Sequence, residues 1–303
     1  MDGYRYISEM YAKTGILVYK RKNQNLAYQT SVNQCSEEDG GVDLNRNYAW
    51  AFGDSLEGSS SDPCSQIFRG PSAFSEPETR AVRDLIGNKS KEVKVVYNFH
   101  AYGNMFLHPF SSDDSQNSKL VTEFPEQARI YREIWEDNGL PHGNRKGNGE
   151  RVIDYQADGD ASDWILDAHG IVSADPELGT LDYGSYDFFI FERPILLDIL
   201  NQNVDWVLNT FKKLGPQLGF NHINTTTGPH ESIQIEYEFL NKGFSDMAST
   251  VASFQFEVES DILNLTSIEN ADSFKKISET RYQVQINNIH FRAREGVRII
   301  MNG

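Results

Sequence analysis

"VKVVYNFHAYGN", residues 93–104, is an apolar run that ends in a histidine. A short continuous run of this kind is the pattern of a strand covered on both faces. Just before it, "SEPETRAVRDLIGNK" reads as a helix. Ser75 can cap it, Glu78 completes a capping box, and Pro77 falls in the first turn, where its missing N–H costs nothing. Further helices are read in "PEQARIYREIWEDNG", 125–139, and in "PILLDILNQNVDWVLNTFKKLG", 194–215, the second stopped by Gly215-Pro216. "GIVSADPEL", 170–178, reads as another strand. Strands alternating with helices argue for an α/β domain. His100 stands at the C-terminal end of its strand, the end where sites gather in open α/β sheets.

From about Pro229 the period changes. "SIQIEYEFL" places Ile233, Ile235, Tyr237 and Phe239 on one face and Gln234, Glu236 and Glu238 on the other, and "NKG" follows as a turn. "VASFQFEV", "RYQVQIN" and "VRIIM" keep the period of two. This is the pattern of a small all-β module of sandwich type. The expected organisation is an α/β domain over 1–215, a linker over 216–228, and the all-β module over 229–303.

The formal net charge of −16 gives an acidic surface that repels phosphate backbones, which excludes nucleic acid as a partner class. No apolar run approaches the ~18 residues a membrane-spanning helix needs. The N-terminus, "MDGYRYISEMYAKTG", lacks the basic start and apolar block of a secretory signal. Three glycosylation sequons, at Asn88, Asn224 and Asn264, nevertheless suit an exported chain.

Several segments carry chemistry. In "GVDLNRNY", 41–48, Arg46 offers a planar fork that matches a carboxylate and Asn45 adds a donor; a surface loop with one ion pair is the plainer reading. "KRKNQ", 20–24, taken alone, is a solvated cationic stretch. Cys35 and Cys64 flank the Asn-Arg segment and are either a bridge, worth ~3.5 kcal/mol in the chain-entropy model, or two buried thiols. His100 is a metal ligand or a hydrogen-bonded structural residue, and no other histidine pairs with it at ligand spacing. In "DYQADGDASDWILDAHGIVSADPELG", 154–179, Glu177 at a strand end is a candidate general base, and Tyr155 lies in a Gly/Asp-rich loop.

In order, "DGY", "YKRKN", "GVDLNRNY", "SDPCSQIFRGPSAFSEPET", "FHAYGNMFLHPF", "YQADGDASDW" and "PELG" resemble the zinc metallocarboxypeptidases of the carboxypeptidase A/B type over residues 2–212. The resemblance implies a mixed-sheet domain that releases C-terminal residues from peptides and proteins. It implies that His100 is a zinc ligand and Glu177 the general base for zinc-activated water, whose pKa zinc lowers toward ~7. Arg21 would hold the oxyanion, and Asn45, Arg46 and Tyr155 the terminal carboxylate. Cys35 and Cys64 match a disulfide of several members. Peptide C-termini are the implied partners, and the secretory pathway or extracellular space the implied location.

In that family the first two zinc ligands come from a His-x-x-Glu motif upstream of "DGY", and no His-x-x-Glu occurs in this sequence. The expectation is a chain truncated at its N-terminus that holds one zinc ligand of three, lacks catalytic zinc and folds poorly as written. The alternative is a binder of peptide C-termini that has dropped the metal. The residue at Ser162 reads the substrate side chain in the family, being apolar in A-type and acidic in B-type members; serine fits neither. Asp160 and Asp175 near the pocket would favour Lys or Arg. Asp175-Pro176 replaces the residues usual before the glutamate, which bears on the pose of Glu177. The β module is read as a stabilising cap, with docking to a surface or partner as the alternative.

Overall fold

The computed structural model describes residues 2–16, 18–29, 34–113, 117–137, 145–179, 193–215, 218–227, 233–241, 251–257, 264–269, 273–276, 281–287 and 298–302. The expected stop at Pro216, the turn at Lys242-Gly243, and His142, His230 and His290 lie outside them. The chain divides into two compact units, Met1–Val207 and Leu208–Gly303.

The first unit is built on a mixed four-stranded sheet in the order β1-β4-β2-β3. These strands are β1 (Val95–Tyr97), β2 (Met105–His108), β3 (Arg145–Asn148) and β4 (Val172–Glu177). β1 runs parallel to β4, β4 antiparallel to β2, and β2 parallel to β3. The strand expected to be covered on both faces, β1, is half-buried, and Phe99 just beyond it is 49% exposed. Its place at the sheet edge is the reason. β4 and β2 lie inside the sheet and are buried.

The helices are α1 (Asp2–Thr14), α2 (Pro77–Lys89), α3 (Asn117–Glu123), α4 (Pro125–Asp137), α5 (Gly149–Ile153) and α6 (Ala161–His169), with α7 (Arg193–Lys212) crossing the division between units. Pro77 opens α2 as expected, but the cap is Glu76, which makes no side-chain capping bond. Ser75 is turned elsewhere: its hydroxyl donates to Glu76 Oε1 and accepts from Asn47 Nδ2. Glu76, fully buried, also accepts from the Asn23 and Asn25 amides and the Tyr28 hydroxyl. A buried carboxylate needs such donors, and this one ties the segment after Lys22 to the start of α2.

The core has two recognisable groups. Trp206 of α7, fully buried, meets Tyr97, Phe99 and Phe106 edge-on or tilted, which fixes the helix against β1 and β2. Tyr48, Ile86, Ala161, Trp164, Ile165 and Ile171 form the second, so α2 and α6 share a core with the 41–48 loop. Burial of an aromatic side chain of this size contributes about 3 kcal/mol or more.

After the end of α7, the described residues of the second unit form two antiparallel sheets. One has the order β7-β10-β9 (Val251–Glu257, Arg281–Asn287, Ser273–Lys276). The other has the order β5-β6-β11-β8 (Leu218–Thr227, Ile233–Asn241, Arg298–Asn302, Asn264–Glu269). Most of the stretch expected as a linker is strand β5, paired with β6 from Leu218↔Asn241 to Thr227↔Ile233. Its glycine and asparagines read as loop, yet Thr225, Thr226 and Thr227 are β-branched and suit a pleated strand.

Candidate active site

The cationic stretch "KRK" is not a solvated face. Lys20 and Lys22 are 6% and 1% exposed. Lys20 Nζ donates to the carbonyls of Glu37, Glu38 and Gly40 at 2.7–3.2 Å, and Lys22 Nζ to those of Pro63 and Ser65 at 2.8 and 2.7 Å. Burial, helped by the charge of Lys20, lowers the Lys22 pKa to about 8. These two lysines hold the chain next to Cys35 and Cys64, which form a disulfide. Side chains alternate along an extended segment. Arg21 accordingly leaves the lysines and donates from Nε to Asp43 Oδ2 at 2.9 Å.

Asp43 also receives the backbone N–H of Asn45 on Oδ1 at 3.1 Å, capping the single 3₁₀ turn Leu44–Arg46. That turn presents Asn45 and Arg46. Arg46 is buried and donates to the carbonyls of Gly58 and Asn45 at 2.7 and 2.8 Å. These bonds use two of the five N–H groups on its guanidinium. Asn45 Nδ2 donates to Asp160 Oδ2 at 2.8 Å, while its Oδ1 accepts from Ala161 N at 3.1 Å and Asn98 Nδ2 at 3.2 Å. The two loops meet because residue 159 is glycine. Its φ is +70°, and a Cβ there would stand 2.3 Å from the Arg46 carbonyl oxygen.

His100 lies beyond the end of β1, where its N–H donates to the Pro176 carbonyl and its carbonyl accepts from Leu178 N, both at 2.9 Å. Glu177 is thereby set opposite His100. Pro176 interrupts an interior strand, yet costs one rung only: Asn98 N still reaches the Ala174 carbonyl at 2.9 Å, and the ladder resumes at His100. Its substitution therefore leaves Glu177 in register.

Arg21, Asn45, Arg46, His100, Tyr155 and Glu177 line one cavity of about 560 Å³, together with Asp160 and Asp175. Tyr155, half exposed, enters from the loop after α5, just past the left-handed Asp154. Ser162 is not in this lining. It is fully buried beneath α6, its carbonyl accepting from the Ser173 hydroxyl of β4 at 2.6 Å. The cavity-facing place at the start of α6 belongs to Asp160, whose Oδ1 caps the helix by accepting from Ser162 N and Asp163 N.

The electrostatics follow from crowding. Burial, then repulsion from Asp175, pushes the Asp160 pKa up to about 7. Burial raises Glu177, against the opposing charge of His100. Burial disfavours a charged His100, but its hydrogen bond to Asp175 and the charges of Asp175, Glu177 and Asp160 outweigh this and raise its pKa. The Asp175 contact to His100 Nε2 is 3.5 Å.

Sequence reasoning passed over Asn98, which joins the parts: its Nδ2 lies 2.8 Å from His100 Nε2 and 2.8 Å from Asp175 Oδ1. The signal was a polar residue in an apolar run, two positions before His100 and so on the same strand face. Asp43 was signalled by its place two residues before Asn45 in a turn. Nothing in its local sequence marked Arg145, which also lines the cavity. Among the described residues no group of three or more His, Cys, Asp or Glu side chains could hold a metal ion. A protein zinc site needs at least three ligands, so these residues alone do not fit one.

A family model described as zinc carboxypeptidase matches residues 1–200. Carboxypeptidase B of Astacus astacus is 32% identical over 160 residues, 52% of this chain and 50% of that protein. Carboxypeptidase B2 of Homo sapiens is 32% identical over 163 residues, 51% of this chain and 36% of that protein. The chain thus spans half or less of the length of these curated relatives. Among solved structures, bovine thrombin-activatable fibrinolysis inhibitor in complex with tick carboxypeptidase inhibitor aligns with a TM-score of 0.50 and 27% identity, covering 69% of this chain and 64% of that one.

Proposed function

The chain belongs to the zinc carboxypeptidase family, and from that premise we propose that it captures the free C-terminus of a peptide or protein as part of a metallocarboxypeptidase that releases C-terminal residues. One observation carries this reading: Arg21, Asn45, Arg46, His100, Tyr155 and Glu177, from well-separated segments, converge on a single cavity. Arg46 and Asn45, with the Tyr155 hydroxyl, hold the terminal carboxylate; a charge-assisted pair of this kind contributes about 1.5–3 kcal/mol. Recognition of that carboxylate restricts the site to the last residue of a chain. Arg21, held at Nε by Asp43, keeps its terminal N–H groups for the oxygen of the scissile carbonyl. Glu177, with a raised pKa, accepts a proton from the attacking water and delivers it to the leaving amine.

The zinc that the family requires does not fit on the described residues alone, since His100 is a single ligand. That observation favours a second reading, in which this chain binds peptide C-termini without cleaving them. The disulfide Cys35–Cys64 supports an extracellular or lumenal setting for either. Among the described residues no helix is long and apolar enough to cross a membrane.

Calorimetric titration with a peptide and its C-terminal amide tests the shared claim. The free acid should bind, and both amidation and Arg46→Ala should weaken binding on the order of tenfold or more. Equal binding of acid and amide would sink it. Incubation with zinc, followed by mass analysis of the peptide, separates the two readings: a product one residue shorter marks the peptidase, and an intact peptide the binder.

A further inference from the structure

We propose that Asn88, at the end of α2, carries an N-linked glycan. The acceptor motif has no part in the carboxylate site; its use requires the lumenal or extracellular setting proposed above from the Cys35–Cys64 disulfide.

Asn88-Lys89-Ser90 is an acceptor sequon with no proline at its middle position. The fold decides where it points. α2 buries Thr79 and Ile86 and packs Val82 against the core that contains Tyr48 and Trp164. The other face of the helix, formed by Pro77, Ala81, Asp84, Leu85 and Asn88, is exposed. Two residues along a helix turn a side chain by about 200°, so Asn88 points away from the buried Ile86. The space beside it is open, since a Cβ added at Gly87 would meet nothing within 4 Å. Ser90, whose hydroxyl completes the motif, stands at the C-cap, where helices fray and the backbone is held least.

Two further observations suit a sugar here. Leu85, one turn before Asn88 on the same face, is 60% exposed, and a bulky, solubilising glycan covers such a side chain. At the other end of α2, Glu78 and Thr79 line a smaller cavity beside Asn45 and His100. About 15 Å of helix separates that end from Asn88, so a glycan leaves the peptide-binding side open.

The reaction is a glycosyl transfer from an oligosaccharide carried on a polyprenyl diphosphate. The Asn88 side-chain nitrogen attacks the anomeric carbon of the first sugar. The C–N bond forms, the anomeric C–O bond breaks, and the lipid diphosphate leaves. The amide nitrogen gives up one proton to a base of the transferase, and nothing is oxidised or reduced.

The test expresses the 303-residue chain behind a cleavable secretory leader in a eukaryotic host and maps its peptides by mass before and after peptide N-glycosidase. The peptide containing Asn88 should be glycosylated, and enzymatic release should leave aspartate at that position. Asn88→Gln and Ser90→Ala should each abolish this glycan, and Ser90→Thr should keep it. It should also persist when Asn224 and Asn264 are both changed to glutamine. Alkylation before reduction reads the state of Cys35 and Cys64 in the same sample. A bridged chain with an unmodified Asn88 overturns the site and leaves the setting standing. Free cysteines with an unmodified Asn88 remove the support for the setting and overturn the site with it. Glycans confined to Asn224 or Asn264 overturn the assignment to Asn88.

Discussion

On one side of the cavity, the 41–48 and 155–163 segments satisfy most of the polar side-chain atoms they bury, Ser162 Oγ being an exception. On the other, at the ends of β1 and β4, Asp175 Oδ2 and Glu177 Oε2 are buried with no partner among the described residues. Asn47 shows the first pattern: its amide nitrogen donates to the Arg69 and Ser72 carbonyls and the Ser75 hydroxyl, and its oxygen accepts from Glu76 N and the Thr79 hydroxyl. Asp163 shows it again, accepting the backbone N–H groups of Ser111 and Ser112. A satisfied network holds a loop in one conformation. An unsatisfied buried carboxylate instead stores a preference for an incoming cation or proton. The braced side is scaffold, and the strand-end side keeps two buried oxygens that a cation or proton would satisfy.

Substitutions can break this contrast. The largest effect is expected from opening the braced side: Cys35→Ser with Cys64→Ser should lower stability by about 3.5 kcal/mol, read from urea unfolding. Next, Gly159→Ala forces a Cβ against the Arg46 carbonyl at a positive φ. A loss of ~3 kcal/mol is expected in the same measurement; a change under ~0.5 kcal/mol would mean that the two loops are not locked together there.

A pH series sharpens the contrast. Asp160 has a folded pKa of about 7, above the ordinary carboxylate value. For an acid shifted upward, the folded state holds the extra proton between the two pKa values, so stability falls as pH rises. Stability should therefore be greatest near pH 4 and decline on the order of 2 kcal/mol by pH 7. Asp160→Asn should flatten that decline in thermal melts taken across the range. The smallest effect lies at the strand ends: Asp175→Asn removes its repulsion of Asp160 and should raise stability by about 1 kcal/mol. A loss of that size instead would place Asp175 with the scaffold.

The α/β character of the first unit was legible because periodicity is a local property. β4 and the helices α2, α4 and α7 follow from the spacing of apolar residues and from Pro77. Edge position is not local, and so β1 read as covered when it is half-buried. Buried polar pairing is also non-local. Nothing within "KRKNQ" announces that Lys20 and Lys22 will end on backbone carbonyls from segments 15 or more residues downstream. The cavity residues were each weak signals and acquired meaning only in their order along the chain. Ser162 was chosen by its position in a pattern, but the turn of α6 decided which side chain faces the cavity, and that turn is set by the Asp160 cap.

The ring closed by Cys35 and Cys64 has a further consequence. It encloses Asn45 and Arg46, and also Leu56, whose side chain is 92% exposed. A protease that cuts the chain at Leu56 would leave two pieces still joined covalently, with the Lys20 and Lys22 contacts holding the cut loop at both ends. On a gel such a nicked molecule runs as one band until a reductant is added. Tolerance of a single cut is thus written into the same loop that carries Asn45 and Arg46.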